Sequence, residues 1–192
     1  MKYSELYHQA KQIDRLIDFH INQKGGLFVP QEELISLILQ HFPYLCVENS
    51  GWHKVVFNFC SEENKVVLKV GAERSIESDH RAYKRVPHTI RHQFFARIFW
   101  HTKYCILQEY GSSAEVAVED LECFKRAVYK YGVFDIKADN IRMINGQLKI
   151  IDANSTRLPV PTILRIIDEL RSKIPKRLDF HLKKITKQFL TT

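Results

Sequence analysis

At Leu45 the hydrophobic pattern of this 192-residue chain changes period. Before that point Leu6, Tyr7, Ala10, Ile13, Leu16 and Ile17 recur at helical spacing and stop at the Gly25-Gly26 break. A second helical segment, QEELISLILQH, opens after Pro30, whose fixed φ suits a first turn, and carries Glu32 and Glu33 near its positive end. From Leu45 onward, short runs rich in β-branched and aromatic residues predict strands. YLCVENSGWHKVVFNF reads as two strands around a turn at Asn49-Ser50-Gly51, and NKVVLKVG as a third after the polar turn at residues 61–64. A helical stretch near SIESDHRAYKRV, closed by Pro87, is followed by QFFARIFWHTKYCILQEYG, two further strands joined at His101-Thr102-Lys103. Helix returns at EVAVEDLECFKRAVYKYG, where Gly132 can take the left-handed conformation that stops it. A hairpin turning at Asn145-Gly146 follows.

This order predicts an α+β protein. A helical extension (1–44) precedes a lobe built on a five-stranded antiparallel sheet with one inserted helix (45–110), and a mostly helical lobe carrying the hairpin follows (111–192). A cleft between two lobes is where a small ligand most often sits.

A 45% hydrophobic content can supply a core for a chain of this length. Cys46, Cys60, Cys105 and Cys123 lie far apart with no Cys-x-x-Cys pair, so they are expected to be buried small apolar residues in a reducing, cytoplasmic setting. The polar start MKYSELYHQAKQID has no apolar signal core, and no stretch reaches membrane-spanning length. The net charge of +7 admits an acidic partner, whether nucleic acid, an anionic membrane or a polyphosphate ligand. Basic residues concentrate in RSKIPKRLDFHLKKITKQF, where the apolar spacing reads as an amphipathic helix with a solvated basic face. A nucleic-acid partner rests on charge alone and is not expected.

The densest chemistry lies in FDIKADNIRMINGQLKIIDAN, residues 134–154. Taken singly, Asp135, Lys137 and Asn140 read as a polar loop after a helix. Taken with Asp152 they suit a triphosphate and Mg²⁺, which need oxygen ligands for a hard cation, a lysine to meet phosphate charge, and a carboxylate to orient a hydroxyl for in-line attack. The Asn-Gly hairpin would return the chain so that Asn140 and Asp152 reach the same place. Lys69 interrupts an apolar strand on the face of Val67, so it either reaches solvent or meets an anion.

These residues resemble the protein kinase superfamily. YGVFDIKADNIRMINGQLKIIDAN is similar to the catalytic-loop pattern D-x-K-x-x-N, followed by a short hairpin and the metal-binding D-F-G position, here Asp152-Ala153-Asn154. Lys69 in VVLKV is similar to the third-strand lysine that contacts the α- and β-phosphates, and YCILQEYG, with Glu109, resembles the fifth strand and the hinge against which adenine stacks. The resemblance implies a two-lobed protein-kinase-like fold with a truncated C-terminal lobe, binding ATP and Mg²⁺. It makes Asp135 the catalytic carboxylate, Lys137 a stabiliser of the transferring phosphoryl group, and Asn140 and Asp152 the Mg²⁺ ligands. Lys69 would hold the nucleotide phosphates, with Asp79, or alternatively Glu77, as its acidic partner on the inserted helix.

Several positions depart from the family pattern. Gly51 stands alone in ENSGWHKV where the family has a glycine-rich loop, which leaves fewer backbone amides to approach phosphates. Val133-Phe134 replace His-Arg, and Asn154 replaces a glycine, tolerable because asparagine also enters left-handed conformations. The chain after Asp152 is too short for a full activation segment and peptide-binding helices. The expected activity is transfer of the ATP γ-phosphate to a protein hydroxyl. The alternatives are a small-molecule or sugar kinase, and a pseudokinase that binds nucleotide or a protein partner without transfer.

Overall fold

The computed structural model describes residues 3–25, 28–51, 53–59 and 65–155. Two helices, α1 (Tyr3–Gln23) and α2 (Gln31–His41), precede an antiparallel five-stranded sheet of β1 (Leu45–Ser50), β2 (Lys54–Phe59), β3 (Val66–Gly71), β4 (Ile98–His101) and β5 (Cys105–Glu109), ordered β1-β2-β3-β5-β4. The chain is therefore α+β, with the five strands where the change of period puts them.

Between β3 and β4 lie two helices, α3 (Glu73–Arg85) and α4 (His88–Phe94), where the sequence reading has one. Pro87 ends the first and, at φ −54°, caps the start of the second. Gln93 and Phe94, read as the beginning of a strand, close α4. A short apolar run such as Gln93-Phe94-Phe95 does not distinguish a helical turn from a strand, and here packing decides: Phe94 meets Phe124 edge to face, with ring centroids 5.3 Å apart.

After β5 come α5 (Val118–Val128), a 3₁₀ turn (Tyr129–Tyr131), β6 (Val133–Phe134), a second 3₁₀ turn (Ala138–Asn140), β7 (Ile141–Ile144), β8 (Gln147–Ile150) and β9 (Asn154–Ser155). Gly132 stops the helical run at φ 72°, as the sequence reading expects. Asn145 and Gly146 both have positive φ (51° and 76°) and join β7 to β8 in the two-residue hairpin that the Asn-Gly pair predicts. Asn154 departs from expectation: it is not left-handed but lies in β9, paired with Phe134 of β6. The expected helix in residues 171–189 lies outside the described residues.

Two cores organise these elements. Strand alternation in β2 buries Val55, Phe57 and Phe59 against α1 and α2, where Ala10, Ile13, Ile17, Leu34 and Ile38 meet them. The opposite face of the sheet carries Lys54 and Val56 from β2, with Val67 and Lys69 from β3. That face looks toward a second core made by Ala82 and Val86 of α3, Phe124 and Val128 of α5, and Ile141, Ile150 and Ala153 around the hairpin.

Helix α1 is fixed by more than apolar contact. Asp14, buried within it, accepts hydrogen bonds from Thr102 Oγ1 (2.8 Å), Tyr104 N (3.0 Å) and Lys103 N (3.3 Å) in the β4–β5 turn. Among the described cysteines, Cys105 is buried as expected, whereas Cys46 and Cys123 are exposed and Cys46 is disulfide-bonded. Cys46 is the outward-facing residue of an edge strand, a position that the spacing of cysteines in the sequence does not reveal. Among the described residues no helix is long and apolar enough to cross a membrane.

Candidate functional site

The sheet face opposite α1 and α2 forms one wall of a cleft of about 210 Å³. Val56, Val67, Lys69 and Glu109 line it from the sheet, Tyr110 and Gly111 from the connector after β5, and Arg142 and Ile151 from the hairpin. The connector lies directly on the hairpin, with Ser112 and Met143 exchanging both backbone bonds at 3.0 and 2.9 Å. Gly111 makes that approach possible, since a Cβ there would lie 2.6 Å from Arg142 Cβ and 2.8 Å from Ile144 Cγ1.

Lys69 joins this cleft to a cluster of two lysines and two carboxylates, in which Asp79 and Asp152 line a smaller adjoining pocket that shares Gln108 and Ile151 with the cleft. Lys69 is almost fully buried; its ammonium donates to the Ile151 carbonyl and stands 3.9 Å from Asp79 Oδ2. Asp79 projects from the face of α3 that also buries Ile76 and Ala82. Its closest partner is not Lys69 but Lys54, which donates to Asp79 Oδ1 at 2.7 Å and Oδ2 at 2.6 Å, and to Asp152 Oδ1 at 2.7 Å. Lys54 thus joins the first residue of β2 to α3 and to the end of the hairpin.

The charges of this cluster shape its proton affinities. Burial alone would raise the Asp152 carboxyl, but Lys69 and Lys54 hold it at about 2, so it is an anion at any physiological pH. Asp79 goes the other way: burial, reinforced by the Asp152 charge, pushes its carboxyl up to about 7 against the pull of Lys69 and Lys54. Burial lowers the Lys69 ammonium despite Asp152 and Asp79. For Lys54 burial works in the same direction, but the two carboxylates outweigh it and raise the ammonium.

The loop before β7 holds the second group. Asp135 sits at φ 65°, a left-handed conformation that aspartate tolerates better than most residues and that costs on the order of 1–2 kcal/mol. Its environment fixes it there. Asn140 Nδ2 donates to the Asp135 carbonyl at 2.9 Å, Asn154 Nδ2 donates to its carboxylate at 3.1 Å, and Lys137 Nζ pairs with the same carboxylate at 2.5 Å. Asn154 is held in turn by Ser78 of α3, whose hydroxyl donates to Asn154 Oδ1 at 3.3 Å. Lys137 is largely exposed, and the Asp135 hydrogen bond and charge raise its ammonium.

The hairpin brings Asn140 and Asp152 to the same end. Ile141 pairs with Ile150, and Ile151 N donates to the Asn140 carbonyl at 2.8 Å, so Asn140 lies opposite Ile151, one residue from Asp152. With its amide nitrogen engaged by Asp135, Asn140 keeps its side-chain oxygen as the remaining ligand atom. An amide oxygen and an ionised carboxylate at adjacent positions suit Mg²⁺, which is bound through one or two carboxylates together with substrate phosphates rather than by an all-protein cage. No group of three or more His, Cys, Asp or Glu side chains that could hold a metal occurs among the described residues.

Lys69, Asp79 and Asp152 are thus brought together, and Asp135, Lys137 and Asn140 form one hydrogen-bonded loop beside them. Glu109 lines the cleft, where its carboxylate accepts a hydrogen bond from Arg97 N at 3.1 Å. Glu77 pairs with Arg81 on the outer side of α3 and takes no part. Gly51 is exposed at the β1–β2 turn, and a Cβ there would meet nothing closer than the Lys54 carbonyl at 3.8 Å, so the position does not demand glycine.

The sequence reading missed Lys54, Asn154 and Gln108. Period-2 alternation puts Lys54 on the face of Val56, the cross-strand partner of Lys69, but does not by itself separate an inward lysine from a solvated one at a strand start. Gln108 is buried near the end of β5 and lines the cleft, its Oε1 without a hydrogen-bond partner among the described residues. No family model matches this chain, and no curated protein matches it.

Proposed function

We propose that the protein is an ATP- and Mg²⁺-dependent phosphotransferase of protein-kinase-like fold that transfers the γ-phosphoryl group to a protein hydroxyl. The observation that carries this reading is the convergence of Lys54, Lys69, Asp79 and Asp152 in one charge cluster, joined to the cleft through Lys69, with the Asp135–Asn140 loop beside it. The adenine would occupy the cleft between Val56 and Val67 on one side and Ile151 on the other, with Glu109 and the connector at Tyr110–Gly111 along its edge. Asn140 and Asp152 would hold the cation. Bound there, Mg²⁺ neutralises charge on the phosphate oxygens.

Asp135 accounts for the acceptor side of the reaction. Its carboxylate, held by Lys137 and Asn154, would orient the acceptor hydroxyl and take its proton as the hydroxyl oxygen bonds to the γ-phosphorus and the bond to the β–γ bridging oxygen breaks, releasing ADP. Lys137, two residues on and exposed, would offset charge on the transferred group.

Incubation with γ-labelled ATP and Mg²⁺, against a protein panel and a metabolite panel, tests the reading. Label on protein is the expected result. Label confined to metabolites would indicate a small-molecule kinase. A second reading, nucleotide binding without transfer, is favoured by one arrangement: the Asp152 carboxylate already carries the Lys54 ammonium. Binding without label in either panel, and without ATP turnover, would select it.

A further inference from the structure

The sequence assigns the phosphate-binding role to Lys69, but the two lysines of the cluster are placed for different tasks. We propose that Lys54, on β2, is the lysine that meets the nucleotide phosphates, and that Lys69 is a positioning residue that fixes the strand leading into Asp152. This assignment rests on the nucleotide-binding reading above.

Three observations support the division. First, Lys69 is committed: only 3% of the residue is exposed, and its ammonium donates to the Ile151 backbone carbonyl, one residue before Asp152. An ammonium that leaves this carbonyl for a phosphate gives up a hydrogen bond to a half-buried main-chain acceptor, and that loss offsets part of the stabilisation the new hydrogen bond provides. Second, Lys54 is anchored and exchangeable at once. Both Asp79 oxygens hold it, at 2.7 and 2.6 Å, while its third contact is to a single oxygen of half-buried Asp152. When Asp152 turns to a cation, Lys54 can keep Asp79 and exchange the Asp152 contact for a phosphate oxygen. No backbone group is left unpaired by that exchange.

Third, the sheet makes room for this lysine. Lys54 is the cross-strand partner of Gly71, and a Cβ on residue 71 would lie 2.7 Å from Lys54 Cγ and 2.5 Å from the His53 carbonyl. The bare glycine lets the Lys54 stem lie across the end of β3 and reach down to α3. Lys54 also follows the β1–β2 turn closely, its carbonyl accepting from Gly51 N at 3.0 Å.

The test is calorimetric titration of the full chain with adenosine, ADP and a nonhydrolysable ATP analogue, each with Mg²⁺, alongside the melting temperature of the unliganded protein. Lys54→Met is expected to weaken the ATP analogue and ADP by roughly tenfold or more, the loss of one charge-assisted contact, with adenosine unchanged. Lys54→Arg should recover part of that loss. Gly71→Ala, which keeps both lysines but displaces the Lys54 stem, should reproduce the phosphate-dependent loss in weaker form. Lys69→Met should lower the melting temperature and weaken all three ligands together. The assignment is overturned if folded Lys54→Met binds the ATP analogue as wild type does, or if Lys69→Met alone loses affinity in proportion to the phosphates. A wild-type protein that binds none of the three ligands would instead remove the nucleotide reading and this inference with it.

Discussion

Asn140 Nδ2 donates to the backbone carbonyl of Asp135 at 2.9 Å, across a loop in which Asp135 is left-handed. The bond ties the proposed acceptor-facing carboxylate to a proposed metal ligand, so the two sites are built as one unit. Replacing Asp135 by Ala removes the carboxylate but not the carbonyl that Asn140 uses. Phosphoryl transfer is expected to fall by roughly 10²–10⁴-fold while the affinity for Mg²⁺-nucleotide stays near wild type. Asn140→Ala should lower both. Single-turnover transfer measured beside nucleotide affinity separates the two outcomes, and equal loss of affinity in the two variants would contradict the assignment.

Asp79 is the buried centre of the charge cluster, facing Lys54 and Lys69. Removing it leaves two buried ammonium groups with Asp152 as their remaining shared counter-charge, so Asp79→Ala should destabilise the fold by about 3–5 kcal/mol in denaturant unfolding. Pairing Asp79→Ala with Lys54→Met should recover part of that loss. Additive effects in this double-mutant cycle would show that the two side chains are not coupled.

His80 of α3 stacks on His101 of β4 with ring centroids 3.6 Å apart. Burial, then the charges of His101, Lys84 and Arg91, lower the His80 imidazole from 6.5 to about 4. Below pH 6.5 the unfolded chain takes up a proton that the folded chain refuses until about pH 4, so stability is lost as pH falls through that interval. Thermal melts of wild type and His80→Gln should diverge there, wild type losing stability relative to the variant. A constant difference from pH 7 to pH 4 would contradict the account.

Asp14 accepts from Thr102 and from the backbone of Lys103 and Tyr104, and so holds α1 to the sheet. Asp14→Ala leaves buried donors unpaired, at roughly 1–3 kcal/mol for each. A lowered melting temperature is expected, with nucleotide affinity unchanged in the folded fraction because the contact lies on the sheet face away from the cleft.

Period and turn chemistry made much of this fold legible in the sequence. The helical face of α1, the strands from β1 to β5, the Asn145-Gly146 hairpin and the Gly132 stop all follow from local rules that packing did not override. Asn140 and Asp152 could be placed together because a two-residue hairpin fixes its own register. The split between α3 and α4 was not legible, since seven residues with few apolar positions carry no clear period. Lys54 was hidden for a different reason. A lysine at the start of a strand next to a turn is ordinary surface chemistry; only the cross-strand glycine and the distant Asp79 and Asp152 turn it inward. Asn154 was judged by its backbone, whereas its side chain does the positioning, between Ser78 and Asp135.

The most direct measurement is a crystal structure of the protein with a nonhydrolysable ATP analogue and Mg²⁺. The expected result is the base between Val56, Val67 and Ile151, with the triphosphate reaching Lys54 and a cation on Asn140 and Asp152. Crystals grown at saturating analogue that show the cleft without nucleotide, and Lys54 still seated on Asp152, would contradict the central claim.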